Sequence, residues 1–260
     1  MELIHSLLTI KFNHMSSTSE TGHAKNVANF EKLIANITAF GTPYNPSKAS
    51  LKLPELNNLL AAAQECIAIV NSIEPAYKNA VSAREVAFAP LSKLITRVSN
   101  ALKASDTTTQ VDDSAMTLVR KLQGRRASQK MTEEEKKVAA DAGNEVTEIS
   151  SSQMSFDSRL DNFDKLIKLL SSVEAYAPNE EELTVAALTS LYNDLKAMNT
   201  NVITAEAPLT NARITRNEVL YKANTGIVDT SVDVKTYVKS VFGATSPQYK
   251  TISGLKFTSH

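Results

Sequence analysis

The chain predicts an all-α fold of two tandem helical-hairpin repeats, whose long kinked helices form an elongated four-helix-bundle or coiled-coil-like assembly. Three observations predict it. Helix breakers are few, with seven glycines and eight prolines in 260 residues, while Ala, Leu, Lys and Glu abound. Apolar residues recur at alternating steps of three and four. The chain also repeats itself: NFEKLI at 29–34 returns as NFDKLI at 162–167. Tyr44, Pro46, Leu51, Leu56, Leu59, Val70, Glu74, Asn79, Ala80 and Arg84 then meet identical residues at Tyr176, Pro178, Leu183, Leu188, Leu191, Val202, Glu206, Asn211, Ala212 and Arg216. The offset is 133 at the first block and 132 afterwards, so one residue was gained or lost between them.

Taken in order, residues 1–14 are expected to be a non-native or disordered extension, since they lack a basic leader and a cleavage site and Met15 makes a natural start. Residues 15–110 form hairpin repeat 1. Its short arm is striped by Val27, Phe30, Ile34 and Ile37. A Pro-containing turn at 41–50 leads to a long arm striped by Leu53, Leu56, Leu60, Ala63, Ile67, Val70, Tyr77, Val81, Phe88, Leu91, Ile95, Val98 and Leu102. Pro54 suits a first turn, where a missing N–H costs nothing. Pro75 and Pro90 are expected to kink the helix without ending it, because the stripe keeps its register through both.

Residues 111–148 form a linker region with short helices, one at 112–123 and one opened by a Thr132/Glu135 capping box. Residues 149–260 form hairpin repeat 2. Phe156, Leu160, Phe163, Ile167 and Leu170 stripe the short arm, and the turn spans 173–179. Val185, Leu188, Tyr192, Leu195, Val202, Leu209 and Leu220 stripe the long arm, with Asn179 expected as its N-cap and Gly226 as its stop. A helix at 230–242 and a tail follow.

Length constrains packing. The first long arm has about fifty residues, roughly 75 Å of helix, and the short arm about half that. The far half of each long stripe therefore needs a second partner, either the other repeat or another chain.

Charge on the stripes marks the candidate residues. Glu74 and Arg84 interrupt the first stripe, and Glu206 and Arg216 the second. Each pair is ten residues apart, roughly 15 Å along the axis, so it does not close within one helix. With antiparallel long helices, Glu74 is expected to meet Arg216 and Arg84 to meet Glu206, as structural buried charges that fix register. Asn79 and Asn211, just after the prolines, are expected to satisfy backbone groups freed by the kinks.

Other chemistry is sparse. Lys+Arg and Asp+Glu balance at 28 each, so no net field draws the chain to nucleic acid. His5, His14, His23 and His260 have no metal-ligand spacing, and the single Cys66 in CIAIV is expected to be a buried, inert thiol. No phosphate loop or nucleophile elbow occurs. Glu133, Glu134 and Glu135 read as a solvated first turn. Arg120, Lys121, Arg125, Arg126 and Lys130 make a local basic patch, and RRAS at 125–128 suits a basophilic kinase, although a solvated linker is the simpler reading. Phe30, Phe163, Tyr44, Tyr176, Tyr77 and Phe88 fall at stripe or turn positions and read as core.

On NFEKLI, the YNP/YAP turns and the ending YVKSVFGATSPQYK, the chain from Met15 resembles an uncharacterised group of duplicated all-helical bacterial proteins. The resemblance implies no activity, cofactor or catalytic residue. The sequence thus predicts a non-enzymatic structural or protein-interaction protein with no cofactor and no metal. A protein partner or self-association is expected, with no nucleic acid, no transmembrane segment and no identifiable small-molecule substrate. A helical effector or pore-forming component is one alternative; a small-molecule binder or enzyme with a site between the hairpins is another. The expected location is cytoplasmic, with secretion lacking a classical signal left open.

Overall fold

The structure, a computed structural model, describes residues 22–125, 132, 134, 137, 138, 141, 142 and 154–259. Its elements are α1 (His23–Ala39), α2 (Leu53–Phe88), α3 (Leu91–Lys103), α4 (Thr109–Leu122), α5 (Phe156–Ser171), α6 (Val185–Tyr221), α7 (Ile227–Phe242) and α8 (Pro247–Ser253). Short 3₁₀ turns at Ala49–Leu51 and Glu181–Leu183 precede the two long helices. Among the described residues the regular structure is all helical, and no helix is long and apolar enough to cross a membrane. The expected extension at 1–14 lies outside the described residues, as do RRAS beyond Arg125 and Glu135 of the capping box.

None of the apolar positions in the long stripe of repeat 1 is exposed, which is what a 3.6-residue periodicity requires of a packed helix face. The prolines behave differently from one another. Pro75 and Pro208 lie inside α2 and α6 on exposed faces, and the carbonyls that they leave unpaired belong to the exposed residues Asn71 and Thr204. Pro90 corrects the expected kink: α2 ends at Phe88 and α3 begins at Leu91. The break is stable because the Phe88 carbonyl, orphaned at the helix end, accepts from Arg159 Nη2 at 3.0 Å. A second correction concerns α6. Asn179 is not its cap; Thr184 Oγ1 accepts from Ala187 N at 3.2 Å, and Glu181 and Glu182 form the 3₁₀ turn ahead of it. The tail holds the unexpected helix α8, announced by Ser246 as a cap accepting from Tyr249 N and Pro247 in the first turn.

The described chain falls into two compact units, and neither is a single repeat. One comprises residues up to Ser72 together with Thr210–His260; the other is Ile73–Leu209. The first unit buries Val27, Phe30, Leu33, Ile34 and Ile37 of α1 with Leu56 and Ala63 of α2, and closes the core with Leu220, Ile227, Val234, Val238 and Ile252. The second buries Leu160, Phe163, Leu166, Ile167 and Leu170 of α5 with Leu188 and Leu195 of α6. Its core closes with Phe88, Leu91, Ile95, Val98 and Leu102, and α4 adds Ala115, Val119 and Leu122. Each unit thus joins helices distant in sequence: α1 and the start of α2 with the end of α6, α7 and α8 in the first, and α5 and the start of α6 with the end of α2, α3 and α4 in the second.

The turns make matching bonds in the two copies. Tyr44 Oη donates to the Leu51 carbonyl at 2.7 Å, and Tyr176 Oη to the Leu183 carbonyl at 2.7 Å. Lys48 pairs with Asp233 of α7 at 2.6 Å, while Arg97 of α3 pairs with Glu182 at 2.7 Å. Both ion pairs are half exposed, so they orient more than they stabilise.

Candidate functional site

Arg84 finds its partners on α5 and α6. Arg84, near the end of α2, directs Nη1 to Asn199 Oδ1 at 2.9 Å, and Asn199 Nδ2 donates to Asp157 Oδ1 at 2.7 Å. The guanidinium lies over the Phe156 ring, 3.9 Å from its centroid. Phe156 meets Phe88 edge to face at 4.9 Å, and Arg159 lies over Phe88 at 5.0 Å. The result is a layered Arg84–Phe156–Phe88–Arg159 cluster in which ring faces receive the cations. Burial lowers the Arg159 pKa, and the Nε atoms of Arg84 and Arg159 are buried without partners among the described residues. Stacking on rings is the arrangement that lets a weakly hydrated guanidinium tolerate this.

This geometry corrects the expected pairing of Arg84 with Glu206. Glu206 is exposed, and Arg84 makes no ion pair among the described residues. The physical reason is local: α5 starts beside the end of α2 and lays the Phe156 ring against Arg84, while the Asn199 amide of α6 takes its Nη1. Glu74 is half buried and pairs with Lys78, one turn on, at 3.3 Å. Arg216 directs Nε and Nη2 to Asn217 Oδ1 at 3.1 and 2.9 Å. Asn79 and Asn211 are exposed.

In the first unit, Arg216 borders an open cleft of about 270 Å³, lined also by Gly22, His23, Ala24, Ile67, Val70 and Asn71. The cleft occupies, by the same offsets, the place of the Arg84 cluster. Position for position, Phe156 becomes His23, Asp157 becomes Ala24, Asn199 becomes Ile67 and Arg84 becomes Arg216. Polar groups fill one copy of the site, and the other copy is left open. The His23 ring turns to Tyr221, with Nδ1 hydrogen-bonded to its hydroxyl at 2.6 Å. Burial pushes the Tyr221 pKa up, opposed by the Asn26 hydrogen bond and the Arg216 charge.

Cys66 lies near the cleft but is inert. It is buried, its Sγ donates to the Ala63 carbonyl at 3.1 Å, and burial pushes its thiol pKa up. No group of His, Cys, Asp and Glu fit to hold a metal occurs among the described residues.

Sequence reasoning found the arginines and placed Phe156 on a stripe, but assigned none of Phe156, Asp157, Asn199 and His23 to a site. The signal was available: the same offset applied to positions that differ between copies. Identity between repeats marks what both copies need; the differences show where one copy has departed. No family model, curated protein or solved structure matches the chain.

Proposed function

We propose that the protein is a non-enzymatic helical interaction protein, built from two copies of one helical hairpin and acting through its long helices. The observation that carries this reading is the placement of unburied apolar side chains. Val86 on α2 and Ile203 and Ile214 on α6 are 74 %, 60 % and 53 % exposed. Single exposed apolar residues are ordinary on a protein surface, but large ones recurring on the two longest helices suit helix-to-helix docking with a partner or a second copy. The features that recur in both copies serve packing: tyrosine-locked turns and an apolar stripe.

Sedimentation equilibrium of the full chain tests the proposal. The expected result is association that rises with concentration and is weakened by Val86→Glu or Ile203→Glu. A chain that stays monomeric throughout, and whose capture of proteins from lysate is the same with and without those substitutions, would overturn it.

A further inference from the structure

We propose that the cleft beside Arg216 binds a small aliphatic carboxylate. The argument rests on comparison with its counterpart. In the second unit the equivalent arginine donates to the Asn199 amide oxygen, and the Asn199 amide nitrogen in turn donates to the Asp157 carboxylate. In the first unit both acceptors are gone, replaced by Ile67 and Ala24, yet the arginine remains. Arg216 Nε and Nη2 share the single oxygen of Asn217, and Nη1 has no acceptor among the described residues. Space accompanies the vacancy: an open cleft of about 270 Å³ lies at these positions, enough for a small molecule.

The lining selects the ligand class. One guanidinium fork matches a planar carboxylate, bidentate and charge-assisted, better than it matches a dianion needing several cations. The cleft wall of Ala24, Ile67 and Val70 is apolar and suits a short alkyl chain. The Asn71 side chain in the lining is neutral and adds no second charge. A carboxylate placed here restores the oxygen acceptor that Asn199 offers Arg84 in the second unit.

The test is a titration of the ¹⁵N-labelled full chain with sodium butyrate, run against sodium chloride and inorganic phosphate at matched ionic strength. Butyrate is expected to give saturable amide shifts at His23, Ala24 and Asn71 and at the Arg216 Nε–H, with a dissociation constant in about the millimolar range. Arg216→Gln is expected to weaken binding roughly tenfold or more by removing a charge-assisted pair. Ala24→Asp, at an exposed first-turn position where an acidic side chain suits the helix, supplies an internal carboxylate and is expected to block butyrate while the chain stays folded. Shifts that never saturate, that survive both substitutions, or that saturate with phosphate and not with butyrate would overturn the proposal.

Discussion

Arg84 Nη1 meets Asn199 Oδ1 at 2.9 Å inside a cluster that also holds Asp157 and Phe156. Asn199 is buried, 7 % exposed, and both ends of its amide are used. Such a group is costly to lose, because each partner left behind is a desolvated polar atom.

A double-mutant cycle on Arg84→Met and Asn199→Leu follows from this. Each single substitution is expected to cost about 1–3 kcal/mol, and the pair to show a coupling of about 0.5–3 kcal/mol. The companion cycle, Arg84→Met with Glu206→Met, is expected to be additive within about 0.5 kcal/mol, since no ion pair joins them. Urea denaturation of the four variants measures both. Coupling in the second cycle and none in the first would reverse the assignment.

The tyrosine locks make a pH prediction. Burial, aided by Glu180, pushes the Tyr176 phenol up to about 12 from its ordinary 10.0. Burial, with Tyr237 close by, raises Tyr44 in the same direction. A phenol with a raised folded-state pKa contributes its full share of stability below about pH 10, and loses it as the pH climbs through the folded-state value. Ionisation also removes the proton that each hydroxyl donates to the Leu51 or Leu183 carbonyl. Stability is therefore expected to fall between about pH 10 and 12. Tyr176→Phe is expected to cost about 1–3 kcal/mol at neutral pH by orphaning the Leu183 carbonyl, and to flatten part of the alkaline loss. Denaturation midpoints across that range check it.

The C-terminal tail is held by side chains rather than by regular structure. Asn26 Nδ2 donates to the Thr258 carbonyl at 2.8 Å and Asn26 Oδ1 accepts from Thr258 N at 3.0 Å, while Asn29 Nδ2 donates to the Lys256 carbonyl at 2.7 Å. Lys235 bonds the Leu255 carbonyl, and burial lowers its pKa. Asn26→Ala with Asn29→Ala is expected to raise hydrogen exchange at residues 255–259 about tenfold or more and to leave the second unit unchanged. Uniform loss of protection across both units would show instead that the tail folds with everything else.

Much of the fold was legible because burial leaves a periodic trace. The stripe from Leu53 to Leu102 named the buried residues Leu56, Ala63, Val70, Phe88, Leu91, Ile95, Val98 and Leu102, although its Tyr77 and Val81 are only partly buried and join neither core, and the repeat pointed to Tyr44 and Tyr176. Pro90 misled, since continuity of register does not distinguish a kink from a break that an outside donor, Arg159, has capped. The α8 helix was missed because its stripe is a single buried residue, Ile252, although Ser246–Pro247 carried the start signal. The exchange of helix ends between copies left no local trace at all: it depends on which distant surface covers Phe88 and Leu220. The candidate site was half legible. Arg84 and Arg216 stood out as charges on apolar stripes, but their partners come from other helices, and pairing across helices is not written in spacing.

Two glycines near the end of the chain separate steric demand from conformational freedom. Gly226 joins α6 to α7 at an ordinary φ of −73°, so it is not required for left-handed backbone. A Cβ there would lie 2.8 Å from Lys222 N and 2.9 Å from the Leu220 carbonyl oxygen, because the chain folds back on the end of α6 through Asn224 at φ 66° and a Gly226 N–H bond to the Lys222 carbonyl at 2.7 Å. Backbone atoms are the obstacle, and they do not move aside as a side-chain tip would. Gly254, after α8, also has an ordinary φ of −76° and has nothing within 4 Å of its Cβ position. Gly226→Ala is therefore expected to cost about 1–3 kcal/mol through overpacking. Gly254→Ala is expected to be neutral or to stabilise by up to about 1 kcal/mol, by narrowing the unfolded ensemble. Urea midpoints of the two variants decide between this and a purely conformational view, in which both alanines would behave alike.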